Sequence, residues 1–150
     1  MKNKALFVDR DGTINYDTGY TYRIEDLRIY DDIIPIIKNY YDMHYLIIVI
    51  TNQSGINRGY YTENQMKLFN SKIEERLCQY GIKITEIFFC PHTPEEACKC
   101  RKPETGMVEE AARKYNICLA ESIILGDNNE VDGELARRLS IKFIKVHGNQ

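Results

Sequence analysis

Two aspartates separated by one residue, Asp9 and Asp11, stand at the end of the first apolar run, within Asp9-Arg10-Asp11-Gly12-Thr13. A carboxylate is a competent nucleophile toward phosphorus, and covalent attack divides hydrolysis into two easier displacements. A carboxyl group beside it can protonate a leaving alkoxide and then activate water against the acyl phosphate. Gly12 lets the backbone turn tightly toward an anion. Alone, such a pair also fits a solvated loop or a fragment of a calcium site. Three further stretches strengthen the phosphoryl reading. Thr51-Asn52-Gln53-Ser54-Gly55 offers a hydroxyl and loop amides to phosphoryl oxygens. Arg101-Lys102-Pro103 supplies an ammonium that can neutralise charge on a transferring group. Asp127, in the acidic stretch Gly126-Asp127-Asn128-Asn129-Glu130-Val131-Asp132, joins Asp9 as an oxygen donor of the kind magnesium prefers.

A fifth stretch suits a softer metal. Cys90, His92, Cys98 and Cys100 follow the pattern C-x-H-x5-C-x-C. Three thiolates and one imidazole make a closed tetrahedral set for structural zinc, with no position left open for catalysis. Arg101 and Lys102 directly follow the last ligand, so the loop is expected to shape the rim and set these two cations beside the phosphate. The other two cysteines, Cys78 and Cys118, lie in apolar contexts and read as small buried hydrophobes.

These residues need elements to position them, and the chain supplies a regular alternation. Apolar runs over 4–8, 45–50, 84–89, 122–125 and 141–146 read as strands, the second continuous enough to be covered on both faces. Helical spacing marks 31–43, 105–116 and 130–139. A further helix opens at Thr62 with Gln65 as a capping box, carries Met66, Phe69, Ile73 and Leu77 as its stripe, and stops at Gly81. Strand and helix in turn imply βα units on a mostly parallel, doubly wound sheet with helices on both faces. Asp9, Thr51, Cys90 and Asp127 each fall just past a strand's carboxyl end, where open α/β sheets bind ligands.

The 150 residues form one domain on this reading, residues 1–150, with 43% hydrophobic and 28% charged residues as in an ordinary globular protein. A net charge of −2 advertises neither a nucleic-acid channel nor attraction to an anionic membrane, so phosphate binding has to be local. No apolar run approaches the roughly 20 residues that span a bilayer. The stretch before Asp9 is too short for a signal peptide, which makes the cytoplasm the default.

Taken in order, Asp-x-Asp-Gly-Thr, then Thr, then Lys, then Gly-Asp-x-x-x-x-Asp resembles the haloacid dehalogenase superfamily of phosphatases. Residues 9–15, 17–20, 51–60 and 90–107 resemble, more narrowly, its subgroup of heptose bisphosphate and histidinol-phosphate phosphatases. The resemblance implies Asp9 as nucleophile and Asp11 as general acid/base, with Thr51 and Lys102 steadying the phosphoryl group. It implies magnesium on the Asp9 carboxylate, the Asp11 main-chain carbonyl and Asp127, and zinc on the Cys90–His92–Cys98–Cys100 set. Asp17, Gly19, Tyr20, Asn52, Gln53, Ser54, Arg101 and Asn128 match segments that line the substrate site. Asn128 stands where the heptose enzymes usually carry lysine, which removes one charge from that site. No segment is long enough for a separate cap domain, so the zinc loop and Gly19-Tyr20 have to enclose a small phosphorylated sugar. A monomer is expected. Histidinol phosphate and other sugar phosphates are the alternative substrates. A binding module that has lost catalysis would be expected to lack at least one of Asp9, Asp11, Thr51, Lys102 and Asp127, and all are present.

Overall fold

Burial on both faces turns the apolar runs into strands. In the computed structural model, which describes residues 2–147, β1 (Ala5–Val8), β2 (Leu46–Asn52), β3 (Glu86–Cys90), β4 (Ile123–Gly126) and β5 (Lys142–Lys145) form one sheet in the order β3-β2-β1-β4-β5. Every pairing in it is parallel. Residues 1 and 148–150 of the expected domain lie outside the described residues.

Alternate residues of each strand serve opposite faces. Leu6, Val8, Ile47, Val49, Ile123 and Leu125 pack against Ile33, Ile34 and Ile37 of α1 (Ile33–Asp42) and Phe69, Ile73 and Leu77 of α2 (Glu63–Cys78). Phe7, Ile48, Ile50, Phe88 and Ile124 pack against Met107, Val108 and Ala111 of α3 (Gly106–Tyr115) and Leu135 and Ala136 of α4 (Glu134–Leu139). The chain adds β2 and β3 on one side of β1, then crosses to add β4 and β5 on the other. This switch point sits at β1, so the crevice at its carboxyl end opens beside Asp9.

The expected elements are present, with shifted ends. Strand β2 runs on through Thr51 and Asn52, which pair with Phe89 and Cys90 of β3. The capping box of α2 forms, with Thr62 Oγ1 accepting from the Gln65 amide at 3.1 Å and Gln65 Oε1 accepting from the Thr62 amide at 2.8 Å. The helix expected over 130–139 is regular only from Glu134, because Asn129–Gly133 forms a wider π turn. The expectation that Cys78 and Cys118 are small buried hydrophobes needs correction. Cys78 is exposed and Cys118 only half-buried. Cys78 follows the last stripe residue, Leu77, and one helical step of about 100° turns it away from the sheet.

Candidate active site

Asp9 leaves β1, Thr51 sits near the end of β2, and Asp127 follows β4, so three neighbouring strands deliver three side chains to one crevice. Lys102 arrives from the long loop after β3. Its Nζ donates to Asp9 Oδ1 at 2.8 Å, Asp132 Oδ1 at 2.9 Å and the Ile50 carbonyl at 2.9 Å. All three ammonium hydrogens are thereby used in a site where the residue is 4% exposed. Burial works to lower the Lys102 pKa, but the charges of Asp9 and Asp132 outweigh it and hold it above its ordinary value. Burial pushes the Asp9 carboxyl up to about 6, against the opposing pull of Lys102. Asp127 is likewise pushed up to about 6, first by burial and then by the charge on Asp9.

The donor set fits a hard cation. Carboxylate oxygens of Asp9, Asp127 and Asp132 lie within 4.8 Å of one another, with one lysine among them, leaving an excess of negative charge. The backbone makes room for this crowding. Gly12, at φ +88°, lies where any Cβ would collide with the Asp127 carboxylate, and a Cβ on Gly126 would collide with that of Asp132. Lys102 bonds one oxygen of Asp9 and one of Asp132, but Asp132 is buried, whereas Asp9 and Asp127 are half-buried and open to the cleft, so these two are the carboxylates a cation can reach.

Asp11 is held from three directions. Arg10 Nε and Nη2 donate to its two oxygens at 2.9 and 3.0 Å, Asn15 Nδ2 to Oδ1 at 3.0 Å, and Gln53 Nε2 to Oδ2 at 3.0 Å. Arg10 is fully buried, reaching Asn70 Oδ1 at 2.9 Å and the Thr21 carbonyl at 2.7 Å, with its guanidinium over the Phe69 ring. Thr13 Oγ1 donates to Asp9 Oδ2 at 3.1 Å. Gln53 Nε2 also reaches Thr51 Oγ1 at 2.8 Å, while Gln53 Oε1 accepts from the Tyr61 hydroxyl, whose pKa burial pushes up to about 12. Hydrogen bonds thus fix both oxygens of the two neighbouring aspartates, one facing the lysine and the other the arginine.

The residues predicted for catalysis, magnesium and substrate all line one cleft of about 420 Å³, joined by Tyr61, Val131 and Asp132, whereas the four predicted for zinc do not line it. Several are turned toward their own loops. Asp17 Oδ1 accepts from the Gly19 amide at 2.9 Å, Ser54 Oγ accepts from Arg58 Nε at 3.1 Å, and Asn128 Oδ1 caps the amides of Glu130 and Val131 at 2.8 and 3.0 Å. Asparagine at 128 therefore has a local reason: its short carboxamide closes the turn that carries Asp132. Tyr20, 46% exposed, meets Tyr60 edge-on at 4.8 Å on the open rim. Arg101 Nη1 donates to the His92 carbonyl at 3.2 Å.

Sequence reasoning left three residues without a role: Asp132, Arg10 and Tyr61. Asp132 was visible in the acidic stretch, at a spacing that brings it back under Lys102. Arg10 was visible only as a charge between two aspartates; Phe69 and Asn70, which enclose it, lie some sixty residues away.

The loop after β3 gathers the second metal set. Cys90 Sγ lies 3.8 Å from Cys98 Sγ, and Cys98 Sγ 3.9 Å from Cys100 Sγ; His92 Nδ1 lies 3.3 Å from Cys90 Sγ and 3.2 Å from Cys100 Sγ. Zinc–sulfur bonds of about 2.3 Å in a tetrahedron would space sulfurs by about 3.8 Å, so the thiol spacing fits that ion. The Arg101 amide approaches Cys98 Sγ at 3.4 Å, a donor of the kind that supports a thiolate ligand.

A parallel sheet with its switch point at an Asp-x-Asp strand end, a buried lysine and a further aspartate loop defines a haloacid dehalogenase-like phosphatase. The family model described as polynucleotide kinase 3 phosphatase matches residues 5–137. A probable D-glycero-D-manno-heptose-1,7-bisphosphate 7-phosphatase of Thermoplasma volcanium is 49% identical over 140 residues, 93% of this chain and 96% of the relative. The D-glycero-beta-D-manno-heptose-1,7-bisphosphate 7-phosphatase of Helicobacter pylori 26695 is 44% identical over 126 residues, 83% and 73% of the two chains. The crystal structure of D,D-heptose 1,7-bisphosphate phosphatase from B. bronchiseptica, complexed with magnesium and phosphate, superposes with a TM-score of 0.85 at 29% identity, covering 93% of this chain and 78% of that one. The chain belongs to this family of haloacid dehalogenase-like phosphatases, alongside the heptose bisphosphate 7-phosphatases.

Proposed function

We propose that this protein hydrolyses the 7-phosphate of a D-glycero-D-manno-heptose 1,7-bisphosphate. The observation that carries the reading is the Asp9–Lys102–Asp132 constellation, fully formed beside Asp127 in a chain whose named relatives carry this activity. An Asp9 oxygen attacks phosphorus, the bond from phosphorus to the sugar oxygen breaks, and Asp11 gives that oxygen its proton. Water then attacks the acyl phosphate and loses a proton to Asp11, and inorganic phosphate leaves Asp9 free. Thr51 and Lys102 steady the phosphoryl oxygens. Magnesium held by Asp9, Asp127 and the Asp11 carbonyl would supply positive charge at those oxygens. The product, a heptose 1-phosphate, suits nucleotide activation on the way to lipopolysaccharide or another surface glycan, work we assign to a cytoplasmic monomer.

The substrate is tested by specificity constants for the heptose bisphosphate, fructose 1,6-bisphosphate and histidinol phosphate. The heptose ester should lead; a preference for histidinol phosphate would leave only the phosphatase chemistry standing. Arg101, on the rim, is the cation for the second phosphate, since a guanidinium binds phosphate at two points. Arg101→Ala should cost the bisphosphate roughly 1.5–3 kcal/mol in kcat/KM, the range for hydrogen bonds to charged groups, and a simple monophosphate much less.

Magnesium binding should carry a pH signature. In the metal-free protein the Asp9 and Asp127 carboxyls sit at about 6, above the ordinary 3.8, so the folded state holds their protons more tightly than the unfolded chain. Their contribution to stability is present below the ordinary value and is lost as pH rises through about 6. Cation and proton compete for the same oxygens. Calorimetric titration should therefore show apparent magnesium affinity falling below pH 6, by up to about tenfold per pH unit for each proton displaced. A flat affinity from pH 7.5 to 5 would remove these carboxylates from the metal site.

Zinc in the Cys90–His92–Cys98–Cys100 set is the remaining part of the proposal. Protein purified without chelators should contain about one zinc per chain by elemental analysis. Cys98→Ser should lower the thermal midpoint, because binding free energy at a structural zinc is folding free energy. Metal-free protein of unchanged midpoint would count against it.

A further inference from the structure

We infer that Asn52 is a positioning residue for Lys102, holding the lysine's main chain while the same strand holds its ammonium. Asn52 closes β2 opposite Cys90, and its side chain reaches fifty residues along the sequence. Its Oδ1 accepts from the Lys102 amide at 2.9 Å and its Nδ2 donates to the Lys102 carbonyl at 3.1 Å. Both bonds fall on one residue, so the carboxamide stands in for a strand neighbour to which residue 102 has no access. The two partners also fix the amide's orientation, since the reverse would set donor on donor and acceptor on acceptor.

The need for such a clamp follows from where Lys102 stands. It lies two residues beyond the last cysteine ligand, in a connection between β3 and α3 without regular structure. A lysine has a long flexible stem carrying about 2 kcal/mol of rotamer entropy, so an ammonium is placed reproducibly only if the Cα is placed as well. Asn52 fixes that end. The Ile50 carbonyl, two residues earlier on the same strand, accepts from Nζ at 2.9 Å and fixes the other. Strand β2 thus grips the lysine at head and tail, with Thr51 between the two grips. The metal loop brings the lysine near; β2 sets its register. With its oxygen and an amide hydrogen engaged on residue 102, Asn52 acts on the phosphoryl group through the lysine.

The kinetic part of the test rests on the phosphatase reading above, whereas its labelling part does not. Limited acetylation with acetic anhydride, read by mass spectrometry, should find Lys102 protected in the wild type relative to exposed Lys99, which serves as internal standard. In Asn52→Ala that protection should fall at least about tenfold, the size of effect that outer partners of a site commonly show. In turnover, kcat should fall about 10–100-fold with KM within about threefold, and by the same factor for the heptose bisphosphate and for para-nitrophenyl phosphate, since the lysine serves the group common to both. Asn52→Asp keeps size and acceptor but loses the donor; it should behave alike, and it decides the matter if the alanine variant is unfolded at the assay temperature. Unchanged Lys102 labelling in either folded variant would overturn the inference. So would a rise in KM for the heptose ester alone, which would make Asn52 a substrate contact. A wild type without phosphatase activity would refute the proposed function, while the labelling comparison would still decide for or against the clamp.

Discussion

Asp9→Asn should abolish phosphate release while leaving the fold as stable as the wild type, or more so. An amide has no nucleophilic oxygen to offer phosphorus, and removing the nucleophile of a covalent enzyme costs on the order of a millionfold in kcat. The stability side follows from the electrostatics. The Asp9 carboxyl is raised to about 6 because burial disfavours its charge and Asp132 and Asp11 repel it, against the opposing pull of Lys102. An asparagine keeps an oxygen for the Lys102 ammonium and brings its own donor toward Thr13 Oγ1, which now donates to Asp9 Oδ2. One of three crowded carboxylates is then gone. Phosphate-release assays with urea denaturation on the same preparation check both halves. Retained turnover would exclude the aspartyl-phosphate route, and a large loss of stability would show that the carboxylate contributes to the fold.

Lys102→Ala should have the larger structural effect, about 3–5 kcal/mol of lost stability, the range for removing one partner of a buried ion pair. Its ammonium is the shared counter-charge of Asp9 and Asp132, whose side chains are 13% and 2% exposed. Alanine would leave Asp132 as a carboxylate with neither water nor a cation, and would also free the Ile50 carbonyl. Activity should disappear together with stability. The urea midpoint distinguishes this from a purely catalytic role, in which the variant would unfold where the wild type does. Adding Asp132→Asn to Lys102→Ala should recover part of the lost stability and none of the activity.

The sequence exposed the strands because a parallel sheet buried on both faces needs continuous apolar runs, and residues 45–50 are such a run. It hid the strand ends, since Thr51 and Asn52 are polar for the sake of the site yet still pair with β3. Asp9, Asp11, Thr51, Lys102 and Asp127 were legible because chemistry constrains their types and order. Their supports were not. Arg10 under Asp11, Asn52 on Lys102 and Tyr61 behind Gln53 are contacts between distant parts of the chain, and a residue type alone does not say where its side chain points. Asn52 and Gln53 illustrate the difference: their position beside the cleft was readable, whereas their engagement with Lys102 and Asp11 needed the tertiary structure.

The place of β1 at the switch point also governs the order in which the molecule can be made. Of the five strands described, β1 leaves the ribosome before the others, and β2 and then β3 can add on one side as they follow. Its other edge must wait for β4: the Ala5 amide donates to Ser122 Oγ, 117 residues later. At elongation rates of about 5–20 residues per second, that edge stays open for roughly 6–23 seconds. An apolar strand with unpaired amides is a template for pairing with another chain. Because Asp127 and Asp132 lie beyond β4, no shortened chain ending before that strand can hold the complete site, and the nascent chain cannot assemble it until its central strand is covered on both sides.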